Sequence, residues 1–411
     1  MLERGVALVT MLRAERWSQQ RLAALREKKL RRLLAHAAQR IPFYRHIRPD
    51  ASLATLPVID KTLLRAAGAD AWDGPESPAD RWISTSGSTG QPYRFPITRA
   101  YDQRRKAQYL RPYLHNGRGI ADEVVRLTYS PRSAPWFNKL GLLPETQLSC
   151  DSPPALIYKT LLRRRATVLQ GYPSALRQFA SWLRASGAAA PPMRAVFTDS
   201  ELLTPATRRL LTEVLGTPVT DVFGTFETDN IAYQCAEGRG YHVTTDCVIV
   251  ELLIDGRAAG PGEAGELVVT VLDNLRSPFI RYNLRDIARW AEGPCPCGSS
   301  FPVLNVVKGR SDDLLLMPDG SQRSPMQVLG VLDRFDRDLI HYQLRQRRDG
   351  SFEVAYVPAA DAAPDLAARL EQAVQPLIFG AAIRVSRRES IPLTRAGKLR
   401  AFVSDTGPND A

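Results

Sequence analysis

Apolar residues recur at helical spacing from residue 2 to residue 40, and this pattern predicts a basic N-terminal helix or helix pair. The periodicity ends at Ile41-Pro42, where a proline that lacks an amide hydrogen stops a helix. After a loop, Asp60 can cap the first turn of a second helix with the sequence "KTLLRAAG". We therefore predict an N-terminal helical segment over about residues 1–60.

Between about residues 155 and 300, short apolar runs alternate with helical patterns. The run "RAVFTD" at 194–199 precedes "TPATRRLLTEVLG", which has Pro just inside its start and Gly at its end. A second run, "PVTDVFG" at 218–224, follows. This strand–helix–strand order is typical of a mostly parallel sheet. Residues 248–272 then predict an antiparallel hairpin with a Gly-rich turn.

The chain beyond about residue 310 has a different pattern. Residues 341–357 predict a hairpin about Asp349-Gly350, and a helical pattern and a final apolar strand follow it. The sequence thus predicts an α/β protein with a large domain of mixed sheets and helices over residues 1–309. A small, mobile α+β domain is predicted over residues 310–411, with the boundary in the stretch "GRSDD".

Composition is that of an ordinary globular protein. The 411 residues are 44% hydrophobic and 24% charged, so two domains with substantial cores are expected. The formal charge of +12 could suit nucleic acid, but the arginines are scattered and the densest runs resemble solvated helix faces. We therefore favour no nucleic-acid partner, although an anionic substrate would benefit from the positive charge.

The sequence gives only limited information about the cellular location and the oligomeric state of the protein. No stretch approaches the roughly 18 apolar residues of a membrane span, and the run at residues 5–12 lacks the features of a signal peptide. Five cysteines, an odd number, argue against a disulfide framework. We predict a cytoplasmic protein without a membrane span, and a homodimer is left open.

The stretch "STSGSTGQP" at residues 84–92 carries hydroxyls and glycines but few side chains that could join a core. It suits either a flexible linker or a loop that wraps an anion, and the alternation of hydroxyls with glycines favours the anion loop. It is not a Walker A loop, because no lysine follows the glycines. The candidate phosphate-binding residues are Ser86, Gly87, Ser88, Thr89 and Gly90.

Four further segments accompany this loop in a fixed order. They are "VFGTFET" at 222–228, "PFIRYNLRDIA" at 278–288, "VVKGRSDDLLL" at 306–316 and "IPLTRAGKLRAF" at 391–402. Together the five motifs resemble those of the adenylate-forming superfamily. The stretches "LLAHAAQRIPFYRHI", "LATLPVIDKTLLR", "GYPSALRQFASWL", "DSELLTPATRRLL" and "HYQLRQ" are similar to its phenylacetate–coenzyme A ligase branch, especially the CapK-like relatives. The resemblance spans roughly residues 30–405.

The resemblance implies that the chain joins a carboxylic acid to ATP, releases pyrophosphate and passes the acyl group to coenzyme A. In that scheme Glu227 ligates Mg²⁺, a hard cation that prefers oxygen. Lys398 reaches the substrate carboxylate and the α-phosphate as a long point charge, and Asp286 accepts hydrogen bonds from the ribose. The other implied nucleotide-binding residues are Ser200, Glu201, Phe223, Gly224, Thr225 and Arg310.

Several of these residues also have ordinary structural explanations. Glu227 and Asp286 could be plain surface or capping carboxylates, and Lys398 could be a solvated lysine. Arg281 is interpreted equally well as a structural ion-pair partner or a ligand contact. Phe226 departs from the relatives, which carry Ser or Thr directly before the glutamate, and Thr225 or Thr228 would have to supply a hydroxyl.

Cys235, His242, Cys295 and Cys297 could form a Cys₃His zinc site, since thiolate and imidazole donors on turns suit tetrahedral zinc. The spacing C-x-C is a weaker signal than C-x₂-C, and three unrelated thiols are the alternative. The branch often shows Cys and His at these places, which favours a structural zinc. No Ser-His-Asp or Cys-His arrangement supports hydrolysis by a side-chain nucleophile.

The sequence therefore predicts an ATP-dependent acid–coenzyme A ligase that uses ATP, Mg²⁺, coenzyme A and a structural zinc. The in-class alternative is acyl transfer to an amine, a sugar or a carrier-protein thiol in a polysaccharide or secondary-metabolite pathway. The alternative from another class is a non-catalytic nucleotide-binding or basic nucleic-acid-binding protein on the same fold. The identity of the acid is not readable.

Overall fold

The computed structural model describes residues 2–85, 93–129, 131, 138, 140–310, 315–323, 325–394 and 398–405. In chain order its α-helices are α1 (Leu2–Ala14), α2 (Gln19–Arg40), α3 (Lys61–Ala67), α4 (Arg99–His115), α5 (Pro154–Arg164), α6 (Pro173–Ser186), α7 (Pro205–Leu215), α8 (Met326–Leu332) and α9 (Leu366–Val374). Within these described ranges, no helix is long and apolar enough to cross a membrane.

The strands of the first three hundred residues or so are β1 (Arg81–Ser84), β2 (Arg94–Ile97), β3 (Val124–Thr128), β4 (Glu145–Ser149), β5 (Val168–Gly171), β6 (Ala195–Asp199), β7 (Val219–Thr225), β8 (Asp229–Gln234), β9 (Tyr241–Val243), β10 (Val248–Ile254), β11 (Arg257–Ala258), β12 (Gly265–Val271), β13 (Tyr282–Trp290) and β14 (Val303–Arg310). The later strands are β15 (Leu315–Leu316), β16 (Gln322–Arg323), β17 (Leu339–Gln346), β18 (Phe352–Pro358), β19 (Ile383–Arg387) and β20 (Phe402–Ser404). The predicted α/β fold is confirmed.

The chain divides into two compact units. The first comprises residues 1–116 and 222–308, and the second comprises residues 117–221 and 309–411. One division point lies close to the predicted boundary at 309/310, whereas the others interrupt the predicted large domain. The assignment of 1–309 and 310–411 as separate domains therefore stays a prediction.

The first unit is built on a largely antiparallel sheet. Its strands follow the order β11, β10, β12, β13, β14, β9, β8, β7, and β1 pairs with β2 as a separate hairpin. The core beneath the sheet is rich in aromatic rings, such as Tyr44, Phe95 and Phe279, which are almost fully buried. Arg111 of α4 is fully buried and binds both carboxylate oxygens of Asp246, at 2.8 and 2.6 Å.

Local sequence signals set the helix ends in this unit. The N-terminal pattern forms α1 and α2, and α2 ends at Arg40, directly before Ile41-Pro42. The Asp60 carboxylate accepts a hydrogen bond from the Leu63 amide at 2.9 Å and caps α3. Ile59 lies beside Tyr282 in an isolated parallel bridge, so the start of α3 is brought to the start of β13.

The second unit contains a parallel sheet and a smaller mixed sheet. Strands β4, β3, β5 and β6 pair in parallel, and α5, α6 and α7 pack on them around Leu176, Phe179 and Leu211. The smaller sheet has the order β19, β18, β17, β20 and its own core with α8 and α9. The predicted hairpin about Gly350, with a φ of 79°, joins β17 to β18.

Candidate functional site

The hydroxyl-rich stretch lies between the two strands of one hairpin. Ser84 pairs with Arg94, and the Thr85 amide donates to the Tyr93 carbonyl at 2.9 Å. The Tyr93 amide in turn donates to the Thr85 hydroxyl, also at 2.9 Å. The stretch therefore connects paired strands of one unit and does not link two units. The candidate phosphate-binding residues Ser86, Gly87, Ser88, Thr89 and Gly90 lie outside the described residues.

The turn between β7 and β8 presents Glu227. Gly224 is required there, because a Cβ at that position would lie 2.1 Å from the Asp229 carbonyl oxygen. The Thr225 hydroxyl accepts hydrogen bonds from the amides of Glu227 and Thr228, each at 3.2 Å, and lies 2.9 Å from the Thr228 hydroxyl. These bonds hold the turn closed. Both threonine hydroxyls are thus engaged with each other.

Two neighbours of Glu227 illustrate what the turn exposes. Phe226 points its ring outward with 46% of its surface exposed, whereas Glu227 is 7% exposed. Phe223, on the preceding strand, packs edge-on against Tyr241 with ring centroids 6.2 Å apart. The exposed part of this turn is therefore aromatic, and the acidic group lies beneath it.

Glu227 is held by groups from two other elements. The Lys61 ammonium, at the first residue of α3, lies 3.2 Å from Glu227 Oε1, and the Tyr282 hydroxyl donates to the same oxygen at 3.2 Å. Burial, together with the negative charge of Glu227, raises the pKa of Tyr93. Sequence reasoning missed Lys61 and Tyr282. The only local signal was the position of Lys61 directly after the capping residue Asp60.

The segment at the start of β13 contains two arginines that form ion pairs. Arg281 forms a two-point ion pair with Glu251, at 3.1 and 3.0 Å, and its Nη1 donates to the carbonyls of Ala54, at 3.0 Å, and Leu56. Arg285 pairs with the capping Asp60 at 2.9 Å. Of the two interpretations of Arg281, the geometry supports the structural ion-pair partner.

Two further nucleotide candidates, Asp286 and Arg310, lie on strands β13 and β14. Asp286 lies within β13 and is half-buried. Arg310 is the last residue of β14, and its side chain lies outside the described part of the chain. The structure gives no contact that assigns either residue to the ribose, so both stay predictions.

In the second unit, Ser200 and Glu201 directly follow β6. Ser200 has a φ of 70°, and its hydroxyl donates to Asp199 Oδ1 at 2.8 Å. Glu201 Oε2 accepts the Ser174 amide at the start of α6 at 3.0 Å, and Oε1 accepts the Leu399 amide at 2.6 Å. The Glu201 carboxylate thus connects three separate stretches of the unit.

Lys398 lies beside that connection. Its amide donates to the Thr394 hydroxyl at 3.1 Å, and its carbonyl accepts the Thr394 amide at 2.9 Å, so two hydrogen bonds join Lys398 to Thr394. Burial raises the pKa of Glu201, and the hydrogen bonds from Ser174 and Leu399 and the charge of Lys398 counter that rise. The predicted lysine is therefore half-buried and electrostatically coupled to a carboxylate.

The four candidate zinc ligands come together in the first unit. The ligand atoms of Cys235, His242, Cys295 and Cys297 all lie within 4.8 Å of one another. Cys235 Sγ is 3.6 Å from Cys295 Sγ, and Cys297 Sγ is 3.4 Å from His242 Nε2. None of the five cysteines of the chain forms a disulfide. Burial raises the pKa of Cys235 to about 12, so the metal-free thiol holds its proton firmly.

These distances match a tetrahedral zinc site. Zinc–sulfur bonds of about 2.3 Å and zinc–nitrogen bonds of about 2.0–2.1 Å place neighbouring ligand atoms about 3.5–3.8 Å apart. His242 Nδ1 lies 3.3 Å from the Phe301 carbonyl oxygen, which accepts its proton and leaves Nε2 for a metal. The donor set and its spacing thus fit zinc.

The curated proteins that are similar to this chain in sequence include phenylacetate–coenzyme A ligases from two organisms. No family model matches the chain. The phenylacetate–coenzyme A ligase of Thermus thermophilus is 26% identical over 376 residues, which cover 82% of this chain and 80% of that protein. The phenylacetate–coenzyme A ligase of Escherichia coli is 30% identical over 159 residues, which cover 38% of this chain and 36% of that protein.

Solved structures share the fold. The 2-hydroxyisobutyryl-CoA ligase, in its postadenylation state with R3-HIB-AMP, has a TM-score of 0.79 at 21% identity, with 96% of this chain and 91% of that chain covered. The same ligase in its thioesterification state has a TM-score of 0.64. The anthranilate CoA ligase in complex with anthranoyl-AMP has a TM-score of 0.58 at 14% identity, with 82% and 69% covered.

Proposed function

We propose that this chain, a homologue of the phenylacetate–coenzyme A ligases with the fold of the adenylate-forming enzymes, is an acid–coenzyme A ligase. In the first half-reaction a carboxylate oxygen of the acid attacks the α-phosphorus of ATP, and pyrophosphate leaves to give an acyl-adenylate. In the second, the thiol of coenzyme A gives up its proton and attacks the acyl carbonyl, and AMP leaves. The observation that carries the proposal is that the Glu227 carboxylate is buried beside Lys61 and Tyr282.

Glu227 is proposed to hold Mg²⁺. A carboxylate is the hard oxygen ligand that Mg²⁺ prefers. Both contacts of Glu227 fall on Oε1, and among the described residues Oε2 makes no hydrogen bond or ion pair. The residues present therefore fit the ion, which supplies positive charge that stabilises the triphosphate as pyrophosphate departs. The Lys61 ammonium adds a fixed positive charge at the same place.

Lys398 is proposed to contact the acid carboxylate and the α-phosphate, where its charge would offset the repulsion between the two anions. The hydroxyls and amides of the loop after Thr85 are proposed to hold the β- and γ-phosphates. Asp286 would accept hydrogen bonds from the ribose hydroxyls. The other proposed nucleotide contacts are Phe223, Gly224, Thr225 and Arg310. The Ser200–Glu201 segment is proposed to pack against the adenine, while the Glu201 carboxylate is bonded to the amides of Ser174 and Leu399.

ATP–pyrophosphate exchange with a panel of aromatic and aliphatic acids tests the first half-reaction. We expect exchange with at least one acid, and a loss of about 100-fold or more in Lys398→Ala. Lys28→Ala, which removes an exposed lysine of α2, is the matched control and should retain full exchange. Absence of exchange with every acid, in a protein that still binds ATP, would identify a non-catalytic nucleotide-binding protein instead.

The second half-reaction has an alternative acceptor. Transfer to an amine, a sugar or a carrier-protein thiol shares the first step, so exchange does not distinguish it. The acceptors are distinguished by incubating the enzyme with the accepted acid, ATP and each acceptor class in turn, and identifying the products by mass spectrometry. We expect the coenzyme A thioester, and accumulation of an amide, an ester or an acyl-carrier protein in its place would favour the alternative.

We also propose that Cys235, His242, Cys295 and Cys297 hold a structural zinc. Two buried thiols, one half-buried thiol and a buried imidazole at tetrahedral spacing form a donor set for which zinc is the best match. The ion would tie the end of β8 and strand β9 to the loop that precedes β14, without a catalytic role. We also propose a cytoplasmic location, because thiolate ligands for zinc persist where thiols are kept reduced.

A further inference from the structure

The Glu201 carboxylate accepts a hydrogen bond from the Leu399 amide, which belongs to the peptide group that joins Lys398 to Leu399. It joins the end of β6 to the first turn of α6 and to the C-terminal segment, with a short bond of 2.6 Å to the Leu399 amide. We propose that Glu201 is a positioning residue that fixes Lys398 for activation of the acid. This inference rests on the function proposed above and concerns residues of the second unit alone.

The geometry explains how a bond to Leu399 acts on Lys398. The peptide group between the two residues is planar, so its carbonyl and its amide are rigidly linked. The carbonyl of Lys398 accepts the Thr394 amide at 2.9 Å, while the amide of Leu399 donates to Glu201. Both polar atoms of that peptide are therefore held, and the backbone from which the Lys398 side chain projects cannot rotate freely.

Each carboxylate oxygen of Glu201 accepts one hydrogen bond from a backbone amide. Oε2 binds the Ser174 amide and Oε1 binds the Leu399 amide, so the carboxylate spans α6 and the C-terminal segment. An ionised carboxylate accepts at both oxygens, and such charge-assisted bonds are roughly twice as strong as neutral ones. The positive charge of Lys398 also favours the ionised form. Removal of the carboxylate would leave the Leu399 amide without its acceptor.

Strand β17 is attached to α6 by Arg177 and not by Glu201. The proposed role of Glu201 is therefore distinct from attaching the small sheet to α6. The buried guanidinium of Arg177 in α6 donates to the carbonyls of Leu339 at 2.6 Å and Ile340 at 2.7 Å. It also donates to the Thr207 hydroxyl at 3.0 Å. These bonds attach the start of β17 to α6 without involving Lys398. Loss of Glu201 should therefore change the lysine segment while the strand stays attached.

Kinetics of the full-length protein test the proposal. Glu201→Ala is expected to lower kcat for ATP–pyrophosphate exchange by about 10- to 100-fold, because misplaced catalytic groups cost that much, with little change in KM for ATP. The double variant Glu201→Ala/Lys398→Ala should be no slower than Lys398→Ala alone, since the two residues act as one unit. Glu201→Gln, which keeps an oxygen that can accept the Leu399 amide, should lower kcat less than Glu201→Ala does. Glu213→Ala, which removes an exposed carboxylate of α7, is the control.

Two kinetic results would overturn the proposal. A double variant in which the separate losses multiply would mean that Glu201 does not act through Lys398. A raised KM for ATP with unchanged kcat would mean that Glu201 contacts the nucleotide rather than positioning the lysine.

A second measurement does not depend on activity. Hydrogen–deuterium exchange of the peptide over residues 398–405 should increase in Glu201→Ala and stay at the wild-type level in Glu213→Ala, because only the former removes the acceptor of the Leu399 amide. Unchanged protection in Glu201→Ala would overturn the positioning role. If the wild-type protein shows no pyrophosphate exchange with any acid, the proposed function fails, and this measurement still decides whether Glu201 fixes the segment.

Discussion

Lys61 Nζ lies 3.2 Å from Glu227 Oε1, and this ion pair joins the first residue of α3 to the turn that follows β7. Glu227 is 7% exposed, so its negative charge needs a partner to offset the loss of hydration. The same oxygen also accepts the Tyr282 hydroxyl at 3.2 Å. Glu227, the proposed ligand of Mg²⁺, is therefore preorganised by groups that are distant from it in sequence.

Replacement of the Glu227 carboxylate should impair metal use. Glu227→Gln keeps the volume and an acceptor for Tyr282 but removes the charge that would hold Mg²⁺. We expect a drop of about 100-fold in adenylation at low Mg²⁺, with partial recovery as Mg²⁺ is raised. Initial rates over a Mg²⁺ series measure this, with Glu213→Gln as the control. Identical Mg²⁺ dependence in variant and wild type would exclude Glu227 as the ligand.

The Cys₃His cluster should contain one zinc per chain as purified. Elemental analysis of the intact protein measures this directly, and Cys295→Ser should reduce the zinc content because it removes one of the ligands. Cys150→Ser, which alters a buried cysteine outside the cluster, should retain the metal. Zinc-free wild-type protein, grown and purified with zinc present, would contradict the assignment.

Two ion pairs of the first unit should differ widely in their contribution to stability. Arg281 and Glu251 have side chains 6% and 20% exposed, and Arg281 also binds backbone carbonyls. Breaking such a buried pair costs about 3–5 kcal/mol in the free energy of unfolding, which we expect for Arg281→Ala. Arg257→Ala, which breaks the exposed pair with Glu263, should lower the free energy of unfolding far less. Urea unfolding compares the two variants, and equal losses would contradict the structural role of Arg281.

Acid should weaken the second unit through Glu353. Burial alone would raise its pKa, but hydrogen bonds from Ser386, Arg388 and Arg347 outweigh burial and lower the pKa from 4.5 to about 2. Because the folded pKa is below the unfolded value, the stabilisation is fully present above pH 4.5 and is lost as pH falls toward 2. After allowance for solvent screening of the exposed arginines, we expect about 1–2 kcal/mol.

The measurement for Glu353 is the pH dependence of unfolding. Glu353→Gln removes the titrating group but keeps a side chain of similar size, so the stability of the variant should fall less between pH 4.5 and 2 than that of the wild type. Parallel pH profiles for the two proteins would show that Glu353 does not contribute in this way.

The sequence predicted the features that depend on local rules. The cap at Asp60, the helix end at Gly216 and the hairpin turn at Gly350 follow from the conformations these residues favour, and the structure confirms all three. The convergence of Cys235 and His242 with Cys295 was predicted with help from family resemblance. The cap, the helix end and the turn each depend on a short stretch of sequence, whereas the cysteine–histidine cluster joins stretches about 60 residues apart.

The partners of the site residues could not be predicted in this way. Lys61 reaches Glu227 because Ile59 pairs with Tyr282, and that pairing depends on the register of strands far apart in the chain. The bond from Leu399 to Glu201 depends likewise on how the C-terminal segment packs. A sequence pattern indicates which face of an element is buried, but it does not specify which polar groups meet across elements.

Transfer of labelled oxygen tests the central claim most directly. The enzyme is incubated with ATP, coenzyme A and an accepted acid whose carboxylate carries heavy oxygen, and the nucleotide product is analysed by mass spectrometry. Because the carboxylate oxygen attacks the α-phosphorus and stays on the nucleotide when the thiol attacks, the account predicts AMP with one heavy oxygen. Unlabelled AMP, or ADP with labelled inorganic phosphate, would contradict formation of an acyl-adenylate.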